Sequence, residues 1–482
     1  MNYRLVLYIL GIILMGESLS MLPATVIALQ SGDGDGTAFL LSAAITLTAG
    51  LLMYLLRPKN AKMQARDGFA TVALSWIFLS AFGALPYFFS GVAPNYFDAL
   101  FETVSGFTTT GATILTFIEG QPHGILFWRA QTQWMGGMGV LVLTLALLPK
   151  LGEGSVYLMR AESPGPIKSK LTPRLNDTAK ILYSIYIGLT AAETICLRIA
   201  GMSWYESVIH AFSSISTGGF STRNASIAAF DSLAIEWIII FFTFLSGINF
   251  SLLFFALRRN FKAVFESEEL RCYTLMILAA SGLIVADLAI HLGERICTQT
   301  VTDAVFQVVT LMTTTGYMTR DYVLWPTFSQ MILILVMFVG ACAGSTSGGI
   351  KQIRIILLIK NLRREVQRIL RPRQITTIRS DGDRVDESTL SGISLFFFAY
   401  ILLLLIGAFV VSWDNIGFDA AFGASLTCVS NVGPGFGILG PAANFSILSN
   451  ISKLFLSVLM LLGRLEIMPL LLLLFPSLWK KH

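Results

Sequence analysis

The stretch Thr108-Thr109-Thr110-Gly111 recurs in variant form three more times along the chain, and this recurrence decides the fold. The counterparts are Ile215-Ser216-Thr217-Gly218, Thr313-Thr314-Thr315-Gly316 and Ser430-Asn431-Val432-Gly433. Each follows a compact apolar segment that starts near an acid, and each precedes a long apolar run. A motif that returns about every hundred residues indicates internal repeats. We therefore predict four copies of one unit.

The composition indicates where these units reside. Hydrophobic residues make up 54% of the sequence and charged residues 13%, and the mean hydropathy is +0.70. A soluble domain carries about twice that charged fraction. The chain is therefore predicted to be a polytopic membrane protein, and its net charge of +5 reflects topology rather than a nucleic-acid partner.

Apolar runs long enough to cross a bilayer, about twenty residues each, predict ten transmembrane helices. Two precede the repeats, roughly Leu5–Leu29 and Ala38–Leu56. Each repeat adds one helix before its glycine and one after: Ala70–Phe89 with Leu126–Leu148, Ala179–Ile199 with Ile235–Leu257, Tyr273–His291 with Phe328–Leu358, and Ile393–Trp413 with Leu454–Phe475.

The segment between Asp98 and Gly111 is too short to cross the bilayer, and so are its three counterparts. We expect four re-entrant pore helix-loops, because irregular backbone at membrane depth is tolerated where it is buried in protein or lines water. The fold class is then all-α, with a pseudo-fourfold arrangement of the loops. The predicted divisions are 1–60 for two N-terminal helices, then 61–165, 166–260, 261–375 with a broken second helix, and 376–482 for the four pore repeats.

The distribution of basic residues predicts the orientation, because cytoplasmic loops hold the Lys and Arg excess. With both termini inside, the inner loops hold most of the 34 basic residues: Arg57, Lys59, Lys62 and Arg66; Lys150, Arg160, Lys168, Lys170, Arg174 and Lys180; Arg258, Arg259, Lys262 and Arg271; the run from Lys351 to Arg384; and Lys480 and Lys481. A signal peptide is the alternative for the first apolar run, but its removal would leave an odd number of helices.

With these features together, the chain resembles the Trk/Ktr/HKT superfamily of potassium transporters, most closely its bacterial TrkH/TrkG branch. The resemblance covers essentially the whole chain. It implies potassium uptake across the bacterial inner membrane, K⁺ ions as the only bound metal, and no covalent cofactor. It also implies a homodimer and a cytosolic, nucleotide-binding TrkA-like regulatory subunit. The surfaces expected to meet that subunit are the basic segments Lys150–Lys180 and Lys351–Arg384.

The four loops are the candidate potassium-binding filter. Its predicted residues are Thr109, Thr110, Gly111, Ser216, Thr217, Gly218, Thr314, Thr315, Gly316, Asn431, Val432 and Gly433. Rings of backbone carbonyls replace the hydration shell of K⁺ in channels, and the negative ends of the pore helices would favour cations. Because the second and fourth loops depart from the Thr-Thr-Gly pattern, a sodium-coupled or poorly selective monovalent cation transporter is the alternative. Any one glycine alone would be read as an ordinary turn.

A second feature is the glycine-rich centre of the run from Phe328 to Lys360, which is too long for one straight helix. Glycine at this density destabilises a helix, so we expect the helix to open there. Resemblance to the family places the segment below the filter as a gate. The predicted gate residues are Gly344, Ser345, Thr346, Ser347, Gly348 and Gly349. A small-residue helix-packing face is the alternative.

The third feature is Arg464, a charge in the middle of the last apolar run. Such a charge is expensive and usually faces a cavity or a partner. The family resemblance implies that it points into the pore near the gate, where it would oppose cations and hydrogen-bond loop carbonyls. A buried structural ion pair is the alternative. Glu466 lies two positions on, on a different helix face, and the sequence does not identify its partner.

Rival classes lack the residues they need. The five cysteines are dispersed, and no catalytic constellation is evident, so an enzyme is not expected. A voltage-gated channel would need helices with Arg at every third position. An alternating-access carrier would usually show inverted repeats, whereas these repeats run in parallel topology. The residues from Gly435 to Gly440 match the dinucleotide-binding pattern G-x-G-x-x-G. We discount this match, because no strand precedes it.

Overall fold

The structure is a computed structural model that describes residues 1–58, 63–139, 175–372, 374 and 376–476. Over these residues it is mostly helical. The chain opens with α1 (Tyr3–Ser31), α2 (Gly36–Tyr54), α3 (Ala65–Gly83), α4 (Leu85–Phe89), α5 (Tyr96–Phe107) and α6 (His123–Gly137). The middle contains α7 (Leu175–Ile199), α8 (Trp204–Ile215), α9 (Leu233–Ser246), α10 (Phe250–Leu257), α11 (Phe261–Glu266), α12 (Glu268–His291), α13 (Thr298–Met312), α14 (Thr327–Val339) and α15 (Gln352–Leu370).

The last part of the chain begins with a two-residue antiparallel hairpin. The hairpin consists of β1 (Arg379–Ser380) and β2 (Asp383–Arg384). The helices that follow it are α16 (Glu387–Ser412), α17 (Phe418–Ser430), α18 (Asn450–Arg464) and α19 (Met468–Leu473). Four of these helices, α5, α8, α13 and α17, are the short segments that precede the glycine loops. The third of them starts at Thr298, before the acid Asp303 that was expected near its beginning.

Six of the described helices are long and apolar enough to cross a membrane, and a bent pair raises the number to seven. The pair is α9 and α10, which meet at 102°. The transmembrane segment predicted over Ile235–Leu257 is therefore divided into two helices. The bend lies at residues 247–249, where Asn249 starts a new helix by accepting the Ser251 N–H at 2.8 Å.

The last predicted transmembrane helix is also interrupted. Arg464, expected at its middle, is instead the final residue of α18. Glu466 and Ile467 follow with φ of 54° and 69°, a left-handed backbone that side-chain-bearing residues seldom adopt. The chain resumes as α19, so Arg464 lies at a helix terminus, where its side chain reaches neighbouring loops.

The apolar core forms two large clusters around the short helices. One joins α1, α3, α5 and α6 to α17 and α18, with Trp76 and Trp128 fully buried. The other joins α9, α12, α13 and α14 around Tyr273 and Phe306. The first and last parts of the chain therefore pack together, as expected if the repeats close around an axis.

Several predictions concern residues outside those described. The last part of the second helix of the first repeat, predicted over Leu126–Leu148, lies there, from residue 140 onward. So do most of the basic segment Lys150–Lys180 and the residues Lys59, Lys62, Lys480 and Lys481. These remain predictions.

Candidate functional site

The four short helices end in the same backbone turn. Directly after each helix end, one residue adopts the left-handed conformation: Thr109, Thr217 and Thr314 have φ of 56°, 56° and 58°, and Asn431 has φ of 57°. The next residue returns its N–H to the last turn of the helix: Thr110 to Ser105 at 2.9 Å, Gly218 to Ser213 at 2.7 Å, Thr315 to Thr310 at 2.7 Å and Val432 to Thr427 at 2.9 Å. Left-handed non-glycine residues cost energy and cluster at functional sites.

This common turn fixes the register of the loops and corrects one sequence assignment. The glycine two residues after the left-handed position is Gly111, Gly316 and Gly433 in three loops, but Gly219 in the second. Gly218 was predicted as the equivalent glycine, and instead it matches Thr110. Gly219 has φ of 77°, whereas Gly218 does not have a positive φ. Gly219, and not Gly218, is therefore the glycine of the second loop that corresponds to Gly111, Gly316 and Gly433.

The loops meet in cyclic order, first to second to third to fourth and back to the first. Each glycine abuts a carbonyl oxygen of the next loop so closely that a Cβ would collide with it. The collision distances are 2.1 Å from Gly111 to Gly218, 1.9 Å from Gly219 to Thr315, 2.1 Å from Gly316 to Val432 and 2.6 Å from Gly433 to Thr110. Glycine is required here by both φ and contact. The four loops that contain the predicted filter residues thus contact one another in a closed ring.

The side-chain amides of Gln133 and Asn431 form hydrogen bonds that stabilise the ring. Gln133 donates to the Gly218 carbonyl at 2.6 Å and accepts the Phe220 N–H at 3.2 Å. Asn431 donates to Thr110 Oγ1 and to the Met460 carbonyl, both at 2.9 Å, and so joins the fourth loop to the first. Gln133 was missed from the sequence, because nothing distinguishes it from the nearby Gln131 as a loop partner.

A buried ion pair supports the first loop. Arg129 donates to Glu102 at 2.7 Å, and both side chains are almost fully buried. The Glu102 carboxylate also accepts the Thr113 hydroxyl at 2.9 Å and the Ile114 N–H at 2.9 Å. This pair was also missed, although a charged residue within a predicted transmembrane helix, as Arg129 is, is a usable signal.

The glycine-rich segment opens as predicted. We call residues 340–351 the break loop: α14 ends at Val339, Gly340 has φ of 74°, and helix resumes only at Gln352. The Gly348 N–H donates to Thr314 Oγ1 at 2.7 Å, and the Thr346 hydroxyl donates to the Ile215 carbonyl at 3.1 Å. The break loop therefore contacts the second and third loop–helix junctions of the ring directly.

The bend between α9 and α10 faces the break loop, and the two interruptions satisfy each other's backbone. The Cys342 N–H donates to the Gly247 carbonyl at 3.1 Å, and the Phe250 N–H donates to the Gly344 carbonyl at 3.0 Å. Backbone groups without partners are costly in a membrane interior, so the two breaks stabilise one another. No pattern in the sequence connects them.

Arg464 reaches the break loop from the end of α18. Its guanidinium donates to the Thr346 carbonyl at 2.8 Å and to the Gly137 carbonyl at 2.7 Å. The partner of Glu466, left open by the sequence, is Arg354. The predicted gate residues Thr346 and Gly348 thus contact the ring, and Arg464 contacts Thr346.

Comparisons with known proteins show one family over almost the whole chain. The family model for TrkH, described as a cation transport protein, matches residues 36–481. The Trk system potassium uptake protein TrkH of Halomonas elongata is 41% identical over 100% of both chains, and that of Escherichia coli K12 is 38% identical over 100% of both. The crystal structure of the potassium transporter TrkH from Vibrio parahaemolyticus superposes with a TM-score of 0.89, at 35% identity and 100% coverage of both chains.

Proposed function

The chain belongs to the TrkH family of cation transport proteins, and from this we propose that it takes up potassium through a pore lined by its four loops. The family is one of transporters, not enzymes. The finer proposals concern the ion path, its gate, its orientation and its partners. The observation that carries them is the cyclic closure of the loops at Gly111, Gly219, Gly316 and Gly433.

The ring supports a carbonyl filter. Four backbone turns of the same shape, set in cyclic order at the ends of four short helices, offer a repeated set of carbonyl oxygens around one axis. The helix ends at the ring carry partial negative charge, which favours a cation without any carboxylate at the filter. The bound ion in this proposal is K⁺, with no covalent cofactor.

The topology proposal extends the observed helices. We infer ten transmembrane helices, four re-entrant loops and both termini in the cytoplasm of a bacterial inner membrane, divided as predicted at residues 60, 165, 260 and 375. The second helices of the second, third and fourth repeats are bent or broken near the ring, so length alone undercounts them. The basic inner loops support this orientation.

The gate proposal assigns closure of the pore to the break loop and Arg464. Gly348 packs so tightly on the ring that a Cβ there would lie 2.1 Å from the Ser430 carbonyl oxygen. Together with the contacts to Ile215 and Thr314, this puts the loop against three of the four junctions. A segment so placed would obstruct an ion leaving the ring, and Arg464 would add electrostatic repulsion.

Regulation is proposed to come from outside the chain. We propose a homodimer and a cytosolic, nucleotide-binding TrkA-like subunit that docks on the basic segments Lys150–Lys180 and Lys351–Arg384. In the second segment, Arg364 and Arg368 pair with Glu387 and Glu365, so a partner would meet a mixed rather than a purely positive surface.

Poor selectivity or sodium coupling is the second candidate, and the inequivalence of the loops favours it. Gly218 and Val432 occupy the positions of Thr110 and Thr315, so the ring is not chemically uniform. Uneven coordination would reduce discrimination between K⁺ and Na⁺.

Cation flux into liposomes that contain the purified chain alone tests the function. We expect K⁺ uptake that exceeds Na⁺ uptake and needs no Na⁺ gradient. Gly219→Ala should reduce the K⁺/Na⁺ ratio more than Gly218→Ala, because only Gly219 needs a positive φ. Equal K⁺ and Na⁺ fluxes, or K⁺ uptake only with Na⁺, would favour the second candidate. Absence of any flux in folded protein, with or without a cytosolic partner, would reject both.

A further inference from the structure

Glu269 holds both sides of the break loop with one oxygen atom. It is the second residue of α12 and is buried, with 7% of its surface exposed. Its Oε1 accepts the Ala343 N–H at 2.7 Å and the Ile353 N–H at 3.1 Å. Ala343 lies near the start of the break loop and Ile353 just beyond its end.

The bond to Ile353 supplies what the sequence of α15 lacks. The first N–H groups of a helix have no partner within it and favour a negative charge nearby. Lys351, at the N-cap of α15, makes no side-chain capping bond, and the first turn contains no acid. Glu269 therefore caps α15 from another helix.

The geometry of a shared acceptor favours the broken form of the helix. If residues 343 to 353 formed a continuous helix, the N–H groups of Ala343 and Ile353 would lie about 15 Å apart. One carboxylate oxygen could not then accept hydrogen bonds from both. The base of the break loop is also closed by the Lys351 N–H to the Val339 carbonyl at 3.0 Å. Glu269 adds to this backbone bond a charged acceptor, which strengthens a hydrogen bond.

The middle of the break loop is held separately. Thr346 and Gly348 contact the ring and Arg464, as described above, whereas Glu269 contacts only the two ends. The loop is thus fixed at its base by the Glu269 carboxylate together with the backbone bond from Lys351 to Val339, and at its tip by the pore elements. Release of the base would allow the tip to withdraw.

We propose that Glu269 is a positioning residue that clamps the base of the break loop and so holds the pore closed. The proposal rests on the gate assigned above to the break loop. It adds a residue outside the ion path, and it predicts that loss of the clamp changes gating without changing ion selectivity.

The test compares Glu269→Ala, Glu269→Gln and the matched control Glu268→Ala in liposomes. Glu268 is the preceding carboxylate and pairs with Lys360 at 2.6 Å, away from the break loop. Glu269→Ala should raise basal K⁺ flux per folded molecule about tenfold, since it removes two charge-assisted bonds. Glu269→Gln keeps a weaker acceptor and should give about a threefold rise. The control should match the parent, and all K⁺/Na⁺ ratios should stay equal.

A second measurement separates gating from general loosening. In a Ser345→Cys background, Glu269→Ala should accelerate modification by a water-soluble thiol reagent, whereas Glu268→Ala should not. If Glu269→Ala does not fold, Glu269→Asp, whose shorter side chain cannot reach both N–H groups, replaces it.

Parental flux and parental modification in the folded Glu269 variants, alongside raised flux on deletion of Gly344–Gly349, would overturn the clamp and leave the gate intact. Parental flux in that deletion as well would reject the gate itself, and the clamp with it.

Discussion

The ring and the break loop are both irregular backbone, yet they are held by different kinds of bond. In the ring, each turn is closed within its own repeat, as by the Thr315 N–H to the Thr310 carbonyl at 2.7 Å. The break loop depends on side chains distant in sequence: Thr314, Arg464 and Glu269. Among the described residues, the turn of the ring occurs four times, once in each repeat, and the break loop occurs once.

From this difference we expect the ring to be the more rigid element and the break loop the more easily released one. Each turn of the ring is closed by a short-range backbone bond, and the long-range bonds from Gln133 and Asn431 add to this closure. We therefore expect the shape of each turn to depend less on any one distant side chain. The break loop is fixed by a few long-range bonds, and loss of any one shifts its equilibrium. Lids and gates are drawn from such locally weak elements.

The largest effect should come from a side chain inside the ring. Gly316→Ala places a Cβ 2.1 Å from the Val432 carbonyl oxygen at φ of 82°. Strain at such a position costs about 1–3 kcal/mol, and the clash adds to it. We expect the K⁺/Na⁺ flux ratio to fall by about tenfold or more. Gly282→Ala, in α12 with open space around it, is the control and should keep the parental ratio; a parental ratio in folded Gly316→Ala would refute the filter.

The next effect concerns the break loop as a whole. Deletion of Gly344–Gly349 should raise basal K⁺ flux by about tenfold, if the loop accounts for a closed state favoured by roughly 1.4 kcal/mol. The K⁺/Na⁺ ratio should change little, because the ring turns are closed locally. Flux is normalised to folded protein, measured by gel filtration. Loss of folded protein with no gain in flux would instead support a helix-packing role.

Substitution of Arg464 should have a smaller effect on flux, and two variants separate the contribution of its charge from that of its hydrogen bond. Arg464→Ala removes both the positive charge and the bond to Thr346, so basal flux should rise by about fivefold, equivalent to a net hydrogen bond of roughly 1 kcal/mol. Arg464→Lys keeps the charge but not the forked geometry. Flux in the Lys variant therefore measures the tether alone. A large loss of thermal stability in Arg464→Ala without increased flux would indicate a structural pair.

The smallest effect lies outside both regions. Glu294, in the segment after α12, accepts a hydrogen bond from Arg320 at 3.0 Å. This bond lowers the pKa of the Glu294 carboxyl below its ordinary value. The pair should stabilise the fold above the unfolded-state pKa and lose that contribution as the pH falls through the folded pKa. Glu294→Gln should cost under about 1 kcal/mol at pH 7, as surface pairs do. Melting curves at pH 7 and pH 4 test this; an undiminished difference at pH 4 would contradict it.

The sequence predicted the parts of the site that are local. The Thr-Thr-Gly pattern located every turn of the ring, because left-handed backbone and close contact leave a chemical trace in glycine. Glycine density located the break loop for the same reason. The second loop was misregistered at Gly218, since two adjacent glycines are equivalent in sequence, and only the positive φ of Gly219 and its contact with Thr315 distinguish them.

The sequence by itself determined the membrane class, the repeats and the positions of loop and break, because hydropathy and backbone preference are properties of short segments. Tertiary structure alone decided the cyclic order of the loops, the facing bends at Gly247 and Gly344, and the bonds from Gln133 and Glu269. These depend on which distant backbone groups lack partners once the helices pack. Such groups can be satisfied by any nearby donor or acceptor, so the sequence leaves no pattern that names them.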